Sequence, residues 1–320
     1  MSLRKTLAAT AASLVLLPAL ALAPAAIVAA QEVVQDEGAA YRAWHDASQA
    51  GDNAKAMAAA KQYLEKYPTG QYADFIKKWL PAAQMTALDA AIKEKRTADM
   101  IAVGREILTT DPENLNVLYA LAFNVRRNEL FAAPPSFTNG AAAVEFSRKA
   151  IALIEAGKTL TGVATFDKNA TLAWLNQILA VNEAKSGSPA EAIKLYEKST
   201  SLAPDDPQIA ARNLLAVVTL RQAKYAELAK AYNGLPEADR AAAEPSPEVK
   251  AAKDALNAEA DALIDVAARF VAFGKTKNLP AATVDRVYQM TETVYKGRFP
   301  QDATLDGLKK ILTEKGVPAQ

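Results

Sequence analysis

An all-α fold, made of helical hairpins packed one against the next, is what three features of the sequence predict. Alanine is abundant while aromatic residues are 7% of the chain. That balance suits helices in close contact better than strands, which draw on β-branched and aromatic side chains. Apolar residues recur at steps of three and four along most of the chain, the spacing that puts them on one helical face. The helical patterns are also cut by proline closures, at Pro68, Pro112 and Pro204.

The chain of 320 residues, 51% hydrophobic and 23% charged, can bury a large core and has the balance of a folded soluble protein. Its 37 Lys and Arg against 36 Asp and Glu are interspersed, so no basic stripe offers counterion release to a phosphate backbone and nucleic acid is not an expected partner.

Taken in order, residues 1–30 read as a secretory signal. Arg4 and Lys5 give a positive start, Thr6 to Ala23 is apolar, and Val28-Ala29-Ala30 supplies small residues for cleavage. Pro18 and Pro24 interrupt the apolar run, which argues against a retained anchor, so no stable membrane insertion is expected after cleavage. The chain has no cysteine, and hence no disulfide and no lipid-bearing cysteine after the signal. A periplasmic or secreted location is the expectation.

Residues 31–38 are expected as a short flexible lead and residues 39–235 as helical hairpins. In 39–70, Tyr41, Trp44 and Ala47 share a face, Gly51-Asp52-Asn53 makes a turn, and Ala56, Ala60, Tyr63 and Leu64 line the second helix. The stretch 71–80, with Tyr72, Phe75, Ile76 and Trp79, reads as an extra helical segment. A further helix carries Met100, Gly104, Ile107 and Leu108 before Pro112; Leu118, Leu121 and Ala122, then Ala143, Ser147, Ala150 and Ile151, mark the next pair. Two inserted loops are expected, at 128–140 with Pro134-Pro135 and at 157–171, rich in Gly and Thr. Residues 172–186 and 189–207 form the clearest pair, with Gly187 at the turn. Residues 207–234 read as one more hairpin.

A polar linker is expected at 236–247, with Pro245 and Pro247, followed by a C-terminal helical cap over 248–320. There Val249, Leu256, Leu263 and Phe270 recur every seven residues beside Ala260, Ala267 and Gly274, a narrow seam that wants another helix. Covering the last hairpin is the favoured use of that seam, and homodimerisation is the other. Helices at 281–296 and 303–315 complete the cap.

The closing stretch around Ala192, Tyr196, Ser199 and Pro204, at steps of four, three and five, resembles the second helix and end of a tetratricopeptide repeat (TPR). Pro68 and Pro112 stand 44 residues apart, ten more than that family's period of about 34, and the segment 71–80 accounts for the difference. The resemblance implies a TPR-like solenoid that binds another protein or peptide on a surface lined by the first helix of each pair. Tyr41, Asn116, Asn124, Arg127 and Asn176 are the candidate contacts on those helices. The stretch from Tyr67 to Trp79 is similar to repeats of envelope proteins of the Tol-Pal accessory and outer-membrane assembly kind, which implies a partner in the cell envelope.

Chemistry-bearing patterns are few, and no catalytic, metal or cofactor residue is expected. His45 is the only histidine, and one histidine without cysteine makes neither the usual zinc site nor a Cys-His nucleophile. Ala156-Gly157-Lys158-Thr159 and Phe273-Gly274-Lys275-Thr276 resemble the end of a phosphate-binding loop, yet both lack its earlier glycine and follow predicted helices. Asn169-Ala170-Thr171 matches a glycosylation sequon. Asp36-Glu37 and Asp205-Asp206 read as solvated turn carboxylates rather than an acid–base pair. A non-enzymatic scaffold is the favoured function. The alternative is a periplasmic enzyme or glycan-binding protein with a pocket beneath the two long loops.

Overall fold

The computed structural model describes residues 24–163 and 165–317, with side chains from residue 36 onward. Most of the expected signal segment therefore lies outside the described residues. The protein is all-α, with no strand among the described residues, and it divides into two compact units at Gln84/Met85.

The first unit holds α1 (Pro24–Gln49), α2 (Asn53–Lys66) and the first part of α3 (Ala73–Lys93). Gly51 takes a left-handed φ of 72° in the turn, and the Asp52 side chain caps α2 by accepting from Lys55 N. Trp44, Ala47, Ala56, Ala60, Tyr63, Ala73 and Ile76 form the core. The stretch 31–38, expected as a lead, is the middle of α1 instead. Its acids tie it down: Glu37 accepts from Tyr63 OH and from the backbone N–H of Gln71, and Asp36 pairs with Lys66 at 3.0 Å.

The second unit begins within α3, a few residues past Pro81. Segment 71–80 is thus the start of a 21-residue helix that runs on to Lys93. There follow α4 (Thr97–Thr110), α5 (Leu115–Val125), a π-helical turn (Arg126–Leu130), α6 (Gly140–Glu155), α7 (Lys168–Ser186), α8 (Pro189–Leu202) and α9 (Pro207–Asn233). The last four are α10 (Glu237–Arg240), α11 (Pro247–Thr276), α12 (Ala281–Arg298) and α13 (Asp306–Glu314). Starts are set by Asn114, Asp167 and Asp206, whose side chains accept from N–H groups of the first turns of α5, α7 and α9.

From α4 to α9, leaving out the short turn, each helix packs on the next, so the array is a helical solenoid. The first helices α5, α7 and α9 also touch one another and make one layer. On the other side, ion pairs Arg105–Glu145 and Lys198–Glu155 link α4, α6 and α8. Ala192, Tyr196 and Ser199 are all buried, at 0%, 6% and 0% exposure, so the small-large-small stripe is the contact face it was expected to be. Gly104 lets α4 approach α5: a Cβ there would stand 2.6 Å from Leu121 Cδ1.

Two expectations change here. Residues 207–234 form a single 27-residue helix rather than a hairpin. The intended turn, Arg221-Gln222-Ala223-Lys224, contains only strong helix formers and no Gly or Pro. This long α9 pairs with the equally long α11, whose Val249, Leu263, Phe270, Ala260, Ala267 and Gly274 are buried. The seam therefore covers the last repeat, and α12 closes on it where Gly274 meets Val284. The second change is that the linker stretch 236–247 carries the short helix α10; α9, α11, α12 and α13 share one core.

Candidate functional site

The layer of first helices carries one unusual group. Arg126 follows α5 directly and is only 6% exposed, yet among the described residues no carboxylate lies within ion-pair distance of it. Along α5, Tyr119, Phe123 and Arg126 fall at i, i+4 and i+7, one stripe of the helix. The π-helical turn then closes with Phe131 N–H donating to Arg126 C=O at 3.0 Å. This wide turn folds the Phe131 ring back to 4.3 Å from the Arg126 guanidinium. Trp174 of α7 approaches it at 4.0 Å and Phe123 at 5.7 Å. Cation–π contacts of this kind are worth about 2 kcal/mol when desolvated.

Hydrogen bonds fix the guanidinium in its aromatic cage. Nε and Nη2 of Arg126 both donate to Gln177 Oε1, at 3.0 and 2.7 Å. Gln177 Nε2 donates to Asn213 Oδ1 at 2.6 Å, Asn213 Nδ2 donates to Ser199 Oγ at 2.8 Å, and Ser199 Oγ donates to the Ala173 carbonyl at 2.7 Å. Gln177, Ser199 and Asn213 are each 0% exposed. The chain of donors crosses α7, α8 and α9, and every link is saturated, so Gln177 is held in the orientation that receives Arg126.

Nothing comparable balances the charge. Burial first, then repulsion from Arg212, pushes the Arg126 pKa down to about 10, partly offset by Tyr119 and Asp206. The group remains charged at neutral pH, at a cost on the order of 3 kcal/mol. Arg212, exposed on α9, stacks on the same Phe131 ring at 5.1 Å. Asp206 is engaged in capping α9 through Gln208 N–H. Among the described residues the buried polar side-chain atoms without a partner are Trp44 Nε1, Tyr67 OH and Ser147 Oγ. The hydrogen bonds of the Arg126 guanidinium, among the described residues, go to Gln177 alone, from Nε and Nη2.

The five residues expected as contacts have other employment. Asn116 clips the 157–167 loop, donating to Thr161 C=O and Oγ1 and accepting from Thr161 N–H. Asn124 and Asn176 are buried and donate to the carbonyls four residues back in their own helices, Ala120 and Leu172. Arg127 is exposed, with a long contact to Asn128. Tyr41 belongs to the first unit and stacks on Tyr72 with ring centroids 3.7 Å apart. Tyr41 lies in the first unit and the other four in the second. Arg126, Gln177 and Asn213 form a cluster that no local pattern in the sequence singles out.

The two loops are tied to the array. Glu129, buried in the 128–140 loop, accepts from Asn139 N–H and Nδ2, and Lys158 pairs with Glu113. A cleft of about 320 Å³ lies between α9 and α12, lined by residues such as Leu215, Val218, Arg286 and Met290 and by neither loop. Among the described residues no group of three or more His, Cys, Asp or Glu could hold a metal ion, and no helix is long and apolar enough to cross a membrane. Comparison with protein-family models, curated proteins and solved structures returned no match.

Proposed function

We propose that this chain is a non-enzymatic, exported scaffold of the tetratricopeptide-repeat kind, which binds another protein or peptide of the cell envelope along the layer formed by α5, α7 and α9. The observation that carries the reading is the caged Arg126. A guanidinium buried without a counterion costs a folded chain stability, whereas a binding surface gains a preorganised donor. Half-buried Tyr119, Phe123 and Trp174 give the same layer the aromatic character common where peptides are gripped. Export rests on the charged start, the apolar run and the small residues before Gln31.

A photocrosslinking amino acid tests the reading. Placed at Tyr119, on the proposed face, it should form a discrete adduct with a protein in intact envelopes. Placed at Lys149 on α6 it should not. Adducts from position 149 alone, or from neither position, would refute the proposed face.

A further inference from the structure

We infer that the cleft between α9 and α12 binds a free medium-chain fatty acid, an unbranched hydrocarbon tail ending in one carboxylate. The site goes beyond the peptide-binding face proposed above and does not depend on it. α9 and α12 both pack on α11, and between them they leave a cleft of about 320 Å³. Leu215 and Val218 of α9 and Val287 and Met290 of α12 wall it. Val218 and Val287 are buried, at 2% and 4% exposure, and Leu215 and Met290 are half-buried against the same core. The rest of the lining, Thr219, Gln222 and Arg286, is polar and exposed. A mostly apolar cleft of this size with a few polar groups is the usual form of a small-molecule site.

Volume and charge select the occupant. At about 30 Å³ for each water-sized group the cleft holds about ten of them, and a methylene group is close to water in size, so a tail of about eight to ten carbons fills it. Met290, unbranched and adaptable, fits around such a tail. Thr219 Oγ1 donates within its own helix, to Leu215 C=O at 2.9 Å, so the tail meets no unpaired hydroxyl proton there. Arg286 is the one charged residue of the lining, and among the described residues it has no ion pair. Other arginines of the same two helices are paired: Arg221 with Glu259 at 3.1 Å and Arg298 with Asp261 at 2.9 Å. A guanidinium offers parallel N–H groups to a planar carboxylate. Its single positive charge matches the single negative charge of a carboxylate better than the nearly double charge of a phosphate monoester. An esterified acyl chain, as in a phospholipid, is neutral at its carbonyl end and leaves Arg286 without a partner.

Calorimetric titration of the full chain with fatty acids, kept below their micelle concentrations, tests this. Decanoate should bind once per chain, with affinity rising roughly threefold per methylene from hexanoate onward. Methyl decanoate should bind about tenfold more weakly or worse. Arg286→Gln, an exposed change that leaves the thermal midpoint in place, should weaken decanoate roughly tenfold and leave methyl decanoate unaffected. Thr219→Trp puts an indole into the cleft from an exposed position and should abolish binding of both while the helical circular dichroism stays unchanged. No binding of decanoate, affinity indifferent to chain length, equal binding of acid and ester, or an unchanged affinity in Arg286→Gln would each overturn the site. Tighter binding of decyl phosphate than of decanoate would overturn the carboxylate assignment. The peptide-binding face is tested separately, by the crosslinks from position 119.

Discussion

Two of the charges buried in the second unit, Glu259 and Arg126, are treated in opposite ways. Glu259 of α11, 4% exposed, receives Lys224 at 2.7 Å and Arg221 at 3.1 Å, both from α9. Arg126, 6% exposed, has three aromatic rings and a glutamine oxygen but no acid. Glu259 is a closed account that fastens the last repeat to its cover. Arg126 is open, since its relay fixes direction without cancelling charge. Burial alone therefore does not say whether a charge is there for the fold or for a partner; the state of its counterions does.

The sharpest way to break this comparison is to remove each charge in turn. Glu259→Ala leaves half-buried Arg221 with only its longer contact to Glu197, at 3.7 Å, and should cost about 3 kcal/mol in urea unfolding. A loss below 1 kcal/mol would show that the triad fastens nothing. Tyr196→Ala tests the stripe that sets helix spacing in the same unit and should cost about 3 kcal/mol; an unshifted denaturation midpoint would contradict the burial of that ring.

Alkaline titration probes another buried group. Burial pushes the Tyr196 phenol from its ordinary 10 up to about 12, so the folded state holds its proton longer than the unfolded state. Its contribution is intact below pH 10 and is lost as pH rises to about 12, a difference of roughly 3 kcal/mol. Tyr196→Phe should lose less stability than the wild type over that window, and parallel curves would refute the assignment. Arg126 acts with the opposite sign. Its lowered pKa makes it a cost at neutral pH that is relieved above about pH 10, so Arg126→Met should steepen the alkaline loss. Gln177→Leu, which strands both Arg126 and Asn213 Oδ1, should cost about 2 kcal/mol by calorimetry; no change would mean the relay is ornamental.

Most of the fold was legible because its signals are local. Helical spacing, the proline closures Pro68, Pro112 and Pro204, and the stripe Ala192-Tyr196-Ser199 are each set within a few residues. The single α9 differs from the expected hairpin because no residue between Leu220 and Tyr225 breaks a helix. The candidate site was harder to read. Its parts come from α5, α7, α8 and α9, and polarity pointed to Asn124 and Asn176, whose amides bond within their own helices. A buried arginine is also indistinguishable by sequence from the exposed one beside it; only the π-helical turn and the return of Phe131 separate Arg126 from Arg127. No local pattern announces that separation.

The most direct test of the central claim, that Arg126 is kept for a partner and not for the fold, is the unfolding free energy of Arg126→Met measured alongside Glu259→Ala. Methionine fills the aromatic cage without a charge, and relief of the buried charge offsets the lost bonds to Gln177. The account predicts a stability within about 1 kcal/mol of the wild type. A loss of about 3 kcal/mol or more, comparable to that of Glu259→Ala, would contradict it and make Arg126 a structural group like the other.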